Sequence, residues 1–198
     1  MEFQRVVTRR KMIRSFDERP IPDEIVERII GNALRGPSAG FSQGVELLVI
    51  QGGQLAAYWS LAATDQPAEG APKWPLLRNA QLIIAFLSDK RAYLDRYARP
   101  DKEWTKMAEE ALWPVPFWDI DAGMAALLVL LTAVDAELGA CFVGVVDQDE
   151  FKVKFGVPDR LHVVGCVLIG YAATDDPPSP SLARGRRVAT EVVHRGQW

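Results

Sequence analysis

Apolar and polar residues along this chain follow two different periods. Ile25, Val26, Ile29, Ile30 and Ala33 recur at three- and four-residue intervals, which predicts a helix over 23–34 with one apolar face. Pro22 and Asp23 form its start signal. Residues 2–11 also read as a helix. Mostly apolar runs at 45–50, 81–87, 141–146 and 161–170 read as strands, with short helices at 53–62, 89–98 and 147–154 alternating with them. The longest helix is predicted over 119–138. Met124, Leu127, Leu128, Leu130, Leu131 and Val134 make it apolar on nearly every face, so it should be buried all round, at the domain centre or against a partner chain. Proline-rich stretches at 64–75 and 176–180 punctuate the pattern, and residues 181–198 carry no strong periodicity and read as an extended arm. With no internal repeat and no domain-scale linker, residues 1–198 form a single α+β domain: a mixed sheet flanked by helices.

Composition narrows the function. The chain has 198 residues, 48% of them apolar, enough for one cored domain or for a protomer that completes itself in an oligomer. A net charge of −3 gives no bulk attraction to nucleic acid or membranes. The first residues lack the continuous apolar stretch of a signal peptide, and the longest apolar run, 122–138, is interrupted by Asp135 and Glu137. Two cysteines in apolar surroundings, Cys141 and Cys166, make no disulfide framework and read as buried structural thiols. A cytoplasmic location is expected. His162 and His194 are far apart and neither pairs with Cys or Glu at ligand spacing, so no metal site is expected. Nucleotide-binding glycine loops and the Gly-x-Ser-x-Gly elbow are missing from the sequence.

Positive charge gathers at the two ends. Arg5, Arg9, Arg10, Lys11, Arg14 and Arg19 crowd the start, and Arg184, Arg186, Arg187 and Arg195 the end. A phosphomonoester carries nearly two charges, and guanidinium groups grip its oxygens in pairs, so two basic clusters suit such a group better than one.

Four segments carry a family resemblance: Arg10-Lys11-Met12-Ile13-Arg14-Ser15-Phe16, Pro37-Ser38-Ala39-Gly40-Phe41-Ser42-Gln43, Leu138-Gly139-Ala140-Cys141-Phe142-Val143-Gly144 and Arg184-Gly185-Arg186-Arg187. They resemble the flavin-binding signature of the nitroreductase family. The resemblance implies an obligate homodimer with FMN at its interface and NAD(P)H as hydride donor. It assigns Arg10, Lys11, Met12, Arg184 and Arg186 to the phosphate and ribityl end, and Arg14 to the N1–C2=O edge, where a cation raises the flavin potential. Pro37, Ser38, Ala39, Phe41 and Gln43 would form one wall, contributed by the partner chain, and Phe142, Val143 and Gly144 would cover a ring face near N5. Met12 stands where the family usually has serine, Phe41 where it has asparagine, and Gly44-Val45 where it often has Pro-Trp.

Residues 93–118 are rich in aromatics: Tyr93, Tyr97, Trp104, Trp113, Phe117 and Trp118. Trp104, Trp113, Phe117 and Trp118 are candidates for a lid over the flavin, stacking on a planar acceptor or the nicotinamide; the equal alternative is that they seal the dimer core. The expected reaction is ping-pong hydride transfer from NAD(P)H through flavin N5 to a nitroaromatic, quinone or enone acceptor. The alternatives are a flavin-fragmenting, benzimidazole-forming oxygenase of the same fold and a non-catalytic flavin store or sensor. Reductive dehalogenation is disfavoured by the Trp-rich lid, and nucleic-acid binding by the thin basic footprint.

Overall fold

Leu82–Ser88 is apolar almost throughout because it is the strand that other elements cover on every side. The computed structural model describes residues 1–61, 74–145 and 147–198. Four strands, β1 (Val45–Gln51), β2 (Leu82–Ser88), β3 (Gly139–Val143) and β4 (His162–Gly170), form one sheet in the order β1-β2-β4-β3. Among the described residues seven helices accompany them: α1 (Phe3–Arg9), α2 (Asp23–Ala33), α3 (Gln54–Leu61), α4 (Lys90–Tyr97), α5 (Phe117–Asp135), α6 (Gln148–Phe155) and α7 (Ala189–Val192).

Side chains of β2 alternate between two cores, as the two-residue period of a strand requires. Leu82, Ile84 and Phe86 pack with Val26 and Ile29 of α2 and with Ala122, Ala126 and Val129 of α5. Ile83, Ala85 and Leu87 face the other way, toward Tyr58 of α3, Phe151 of α6 and the N-terminal residues Ile13 and Phe16.

The expected mixed sheet is corrected. All three strand pairings, β1–β2, β2–β4 and β3–β4, are antiparallel. Strands separated by helices imitate the parallel βαβ pattern, yet a connection of any length can return the chain to the end of the sheet it left. The α+β class stands. The proline-rich stretch 64–75 lies largely outside the described residues, as do Lys73 and Val146.

The long helix runs Phe117–Asp135, and within the single chain it is buried on one side. Ala122, Ala125, Ala126, Val129 and Ala133 pack inward, while Ile120, Met124 and Leu127 are 36%, 40% and 47% exposed. These three recur at i, i+4 and i+7, a continuous apolar stripe facing away from the sheet. The helix is long and apolar enough to cross a membrane, but its other face belongs to the central core. Residues 181–198, expected as an extended arm, contain the short α7 and are exposed at every position.

Candidate cofactor site

The N-terminal basic segment leaves α1 at Arg10 and becomes extended. Arg10 N–H still donates to Val6 O, and Ile13 N–H donates to Ala140 O of β3 at 3.0 Å. That approach depends on Gly139, where a Cβ would sit 2.7 Å from Ile13 Cγ2. Ile13 is thereby buried, Arg10, Met12 and Arg14 are half-buried, and Lys11 is exposed. Arg14 is fixed from two directions. Its backbone N–H donates to Asp176 Oδ1 at 2.9 Å, and its guanidinium lies 4.9 Å from the centre of the Trp74 ring. Trp74 Nε1 in turn donates to Pro177 O at 3.1 Å. Among the described residues Arg10, Lys11, Arg14, Arg184 and Arg186 form no ion pair, whereas Arg19, Arg28, Arg91, Arg96, Arg160 and Arg187 each have a carboxylate. Arg10, Lys11, Arg14, Arg184 and Arg186 are thus available to an anion, as are Arg5, Arg9, Arg35, Arg78, Arg99 and Arg195, while Arg187 of the same motif is paired with Glu191.

Pro37–Gln43 is a strained turn. Gly40, Phe41 and Gln43 have φ of 62°, 55° and 53°, the left-handed region that only glycine enters freely. Phe41 and Gln43 hold it because the surroundings impose it. Inside the loop, Gln43 N–H donates to Ser38 Oγ at 3.0 Å and the Ser42 hydroxyl to Ala39 O at 2.6 Å. From outside, Ala39 N–H donates to Asp121 Oδ2 at 2.8 Å and Arg96 Nε to Gly40 O at 2.9 Å. The ring of Tyr97 stands where a Cβ on Gly40 would go, at 2.6 Å, so glycine is required there for space as well as for φ. Asp121 is only 3% exposed, and the same oxygen accepts the Tyr93 O–H at 2.7 Å. Burial first, then this hydrogen bond, pushes the Tyr93 phenol far above its ordinary range. Neither Asp121 nor Arg96 was visible as a site residue in the sequence. The signal was a carboxylate, two residues after Asp119, in the first turns of a helix that is apolar over most of its length.

The third segment is mostly strand. Phe142 and Val143, both half-buried, end β3, and Gly144 follows in the open. Phe142 lies on the backbone of β4 at Gly165, where a Cβ would meet its ring at 2.4 Å. Cys141 and Cys166 are fully buried, and burial pushes each thiol up to about 12; Arg14 offsets this only in part at Cys141. Neither is a nucleophile at neutral pH.

The aromatic segment divides. Trp113 and Trp118 are buried with Tyr93, and Phe117 packs against them in edge-to-face pairs, 5.8 Å for Trp113–Phe117 and 5.7 Å for Trp113–Trp118. Trp113 Nε1 donates to Met107 O at 2.8 Å. Trp104 points outward at 80% exposure, as does Phe41 at 75%.

The two halves of the expected flavin site lie at opposite ends of α5. Ala39 is tied to Asp121 near the helix start. The N-terminal segment is tied to the other end, where the Met1 ammonium meets Asp135 and Ile13 meets Ala140. From Asp121 to Asp135 the helix rises roughly 20 Å at about 1.5 Å per residue.

The profile of the Nitroreductase family matches residues 7–171. A protein of Archaeoglobus fulgidus named NADH dehydrogenase/NAD(P)H nitroreductase is 24% identical over 201 residues, covering 100% of this chain and 99% of its own length. The solved structure of a nitroreductase family protein from Clostridium difficile 630 matches with a TM-score of 0.72 at 22% identity, covering 100% of both chains. An FMN-dependent nitroreductase from Clostridium difficile R20291 matches with a TM-score of 0.66 at 22% identity, covering 98% of each. The residues of the match span all four strands and the loop that Asp121 holds, and on these grounds the chain belongs to the nitroreductase family.

Proposed function

We propose that this protein is a homodimeric, FMN-dependent NAD(P)H oxidoreductase that passes hydride to a planar, electron-poor acceptor of the nitroaromatic, quinone or enone type by a ping-pong exchange. One observation carries the reading. The basic segment and the Pro37–Gln43 loop stand roughly 20 Å apart along α5, too far for one ring system to touch both in one chain. The stripe of Ile120, Met124 and Leu127 lies exposed between them. A second copy packed with its α5 antiparallel on this stripe brings the Asp121 end of one helix to the Asp135 end of the other. Each chain then completes the other's site, and the apolar stripe is covered.

The residues present fit FMN. Arg10 and Lys11, joined by Arg184 and Arg186 of the exposed arm, supply unpaired cations for the phosphate. Arg14, held by Asp176 and Trp74, places a fixed positive charge for the N1–C2=O edge. Pro37, Ser38, Ala39 and Gln43 form a rigid wall, and Phe142, Val143 and Gly144 line the opposite face. Bound FMN supplies the redox chemistry by accepting hydride from the nicotinamide and returning it to the acceptor. Trp104 remains free to stack on that acceptor, while Trp113, Phe117 and Trp118 support the segment from below. The NAD(P)H in the name of the Archaeoglobus relative and the two buried thiols fit a cytoplasmic enzyme.

The visible spectrum of the purified protein tests this, followed anaerobically as NADH or NADPH is added. A flavin band that bleaches is expected. A flavin band that stays oxidised favours the flavin-storage alternative, and a colourless protein that refuses added FMN overturns the reading.

A further inference from the structure

The flavin-facing loop is connected to the exposed aromatic segment through one side chain. Arg96, near the end of α4, donates from all three nitrogens of its guanidinium. Nε donates to Gly40 O at 2.9 Å, while Nη1 and Nη2 donate to the two carboxylate oxygens of Asp101 at 2.9 and 2.7 Å. Gly40 lies in the strained centre of the Pro37–Gln43 loop, next to Phe41. Asp101 belongs to the 3-10 turn Pro100–Thr105, which carries Trp104. Because the guanidinium is planar and rigid, its two partners are held at fixed positions relative to each other. A lysine has three donors but no rigid plane to hold two partners in register.

We propose that Arg96 is a positioning residue that makes the loop bearing Phe41 and the turn bearing Trp104 one mechanical unit, so that the acceptor-side surface is set in register with the flavin wall. This rests on the reading of Pro37–Gln43 as a flavin wall. The loop needs such a restraint. Phe41 and Gln43 occupy left-handed backbone, and with both side chains exposed neither is kept there by its own packing. The restraint comes instead from Asp121 at Ala39, from Tyr97 behind Gly40 and from Arg96 at the Gly40 carbonyl. Of these, Arg96 bonds directly to the turn that carries Trp104, and Tyr97 meets it more loosely through the Lys102 ammonium, 5.2 Å from its ring centre. An acceptor stacking on Trp104 and Phe41 therefore meets two rings whose separation is fixed by a shared guanidinium.

Asp101→Asn and Arg96→Lys test the relay, since neither Asp101 nor Arg96 is placed against flavin or acceptor. Hydrogen exchange in the peptide spanning residues 37–43 is the first readout, because the amides of Ala39, Phe41, Ser42 and Gln43 are all bonded there. In the FMN-free protein Asp101→Asn should speed that exchange by about fivefold, the scale of one lost exposed ion pair, although Asp101 does not touch the loop. In the FMN-loaded protein both variants should raise KM for menadione several-fold while changing kcat little. Wild-type exchange in both variants overturns the relay. So does a fall in melting temperature with no change in local exchange or in KM, which is what a merely structural pair would give. A protein that takes up no FMN overturns the proposed function instead, and the exchange result is read independently of it.

Discussion

Asp121 and Ala39 are joined by a 2.8 Å hydrogen bond in which a buried carboxylate on α5 accepts a backbone N–H of the Pro37–Gln43 loop. The same oxygen takes the Tyr93 hydroxyl, so one side chain fixes the loop and the aromatic cluster together. Asp121→Ala leaves two buried donors unpaired and should cost about 3 kcal/mol, read from urea unfolding. Tyr93→Phe removes one partner and should cost about 1 kcal/mol. Affinity for FMN should fall clearly in Asp121→Ala and little in Tyr93→Phe. Equal affinities in the two variants would remove Asp121 from the support of the site.

Alkaline stability follows from three buried acids. Burial raises Cys141 and Cys166 from 9.0 to about 12 and raises Tyr93 from 10.0 as well, so the folded chain keeps protons that the unfolded chain releases. The unfolded state then binds fewer protons, and stability falls as pH climbs above 9. Each thiol contributes a slope on the order of 1 kcal/mol per pH unit until about pH 12. Below pH 9 these groups are protonated in both states and add no slope. Melting temperatures from pH 7 to 11 should therefore drop steeply beyond 9, and less steeply in Cys166→Ala. A flat profile would mean that the thiols are not shielded from water.

Much of this was legible in the sequence for simple reasons. The period of α2 and the unbroken apolar run of β2 write their burial directly into residue order. The cationic residues at both ends were legible because charge needs no fold to be noticed. Strand direction was not, since it depends on where each connection returns. Asp121 was hidden because its partner Ala39 is 82 positions away. Trp104 and Trp113 look alike as letters, yet one is 80% exposed and the other buried, a difference decided by the packing of α4 against the chain leading into α5.

Gly139→Ala tests how the basic segment is seated. The added methyl would meet Ile13 Cγ2 at 2.7 Å, and Ile13 is pinned between Ala140 and the core. Relief requires residues 12–14 to shift outward. The cost should be about 1–3 kcal/mol, typical of overpacking. FMN affinity should fall with it because Arg14 moves too. Loss of stability with unchanged affinity would separate Arg14 from the flavin.

Arg14→Ala removes the cation assigned to the N1–C2=O edge. Tenfold weaker binding of oxidised FMN, about 1.4 kcal/mol, is expected, together with a midpoint potential lower by about 30 mV if the reduced form loses a further ~1.4 kcal/mol. Arg78→Ala is the control, since Arg78 is exposed and its guanidinium lies 5.8 Å from the Trp59 ring. If Arg78→Ala lowers the potential and Arg14→Ala does not, the tuning role passes to Arg78.

Leu127→Glu addresses the dimer and the cofactor in one variant. Leu127 is 47% exposed in the single chain, at the end of the stripe that begins with Ile120 and Met124, so a carboxylate there leaves the protomer core intact. Buried against a second α5, it would be desolvated without a partner, at a cost of several kcal/mol for each copy. Sedimentation should show a folded monomer with the wild-type circular dichroism spectrum. Because each half-site then lacks its partner wall, that monomer should also have lost its flavin. A variant that remains dimeric would move the interface elsewhere. A monomer that keeps FMN would show that one chain holds the cofactor by itself, against the roughly 20 Å that α5 places between the basic segment and the Pro37–Gln43 loop.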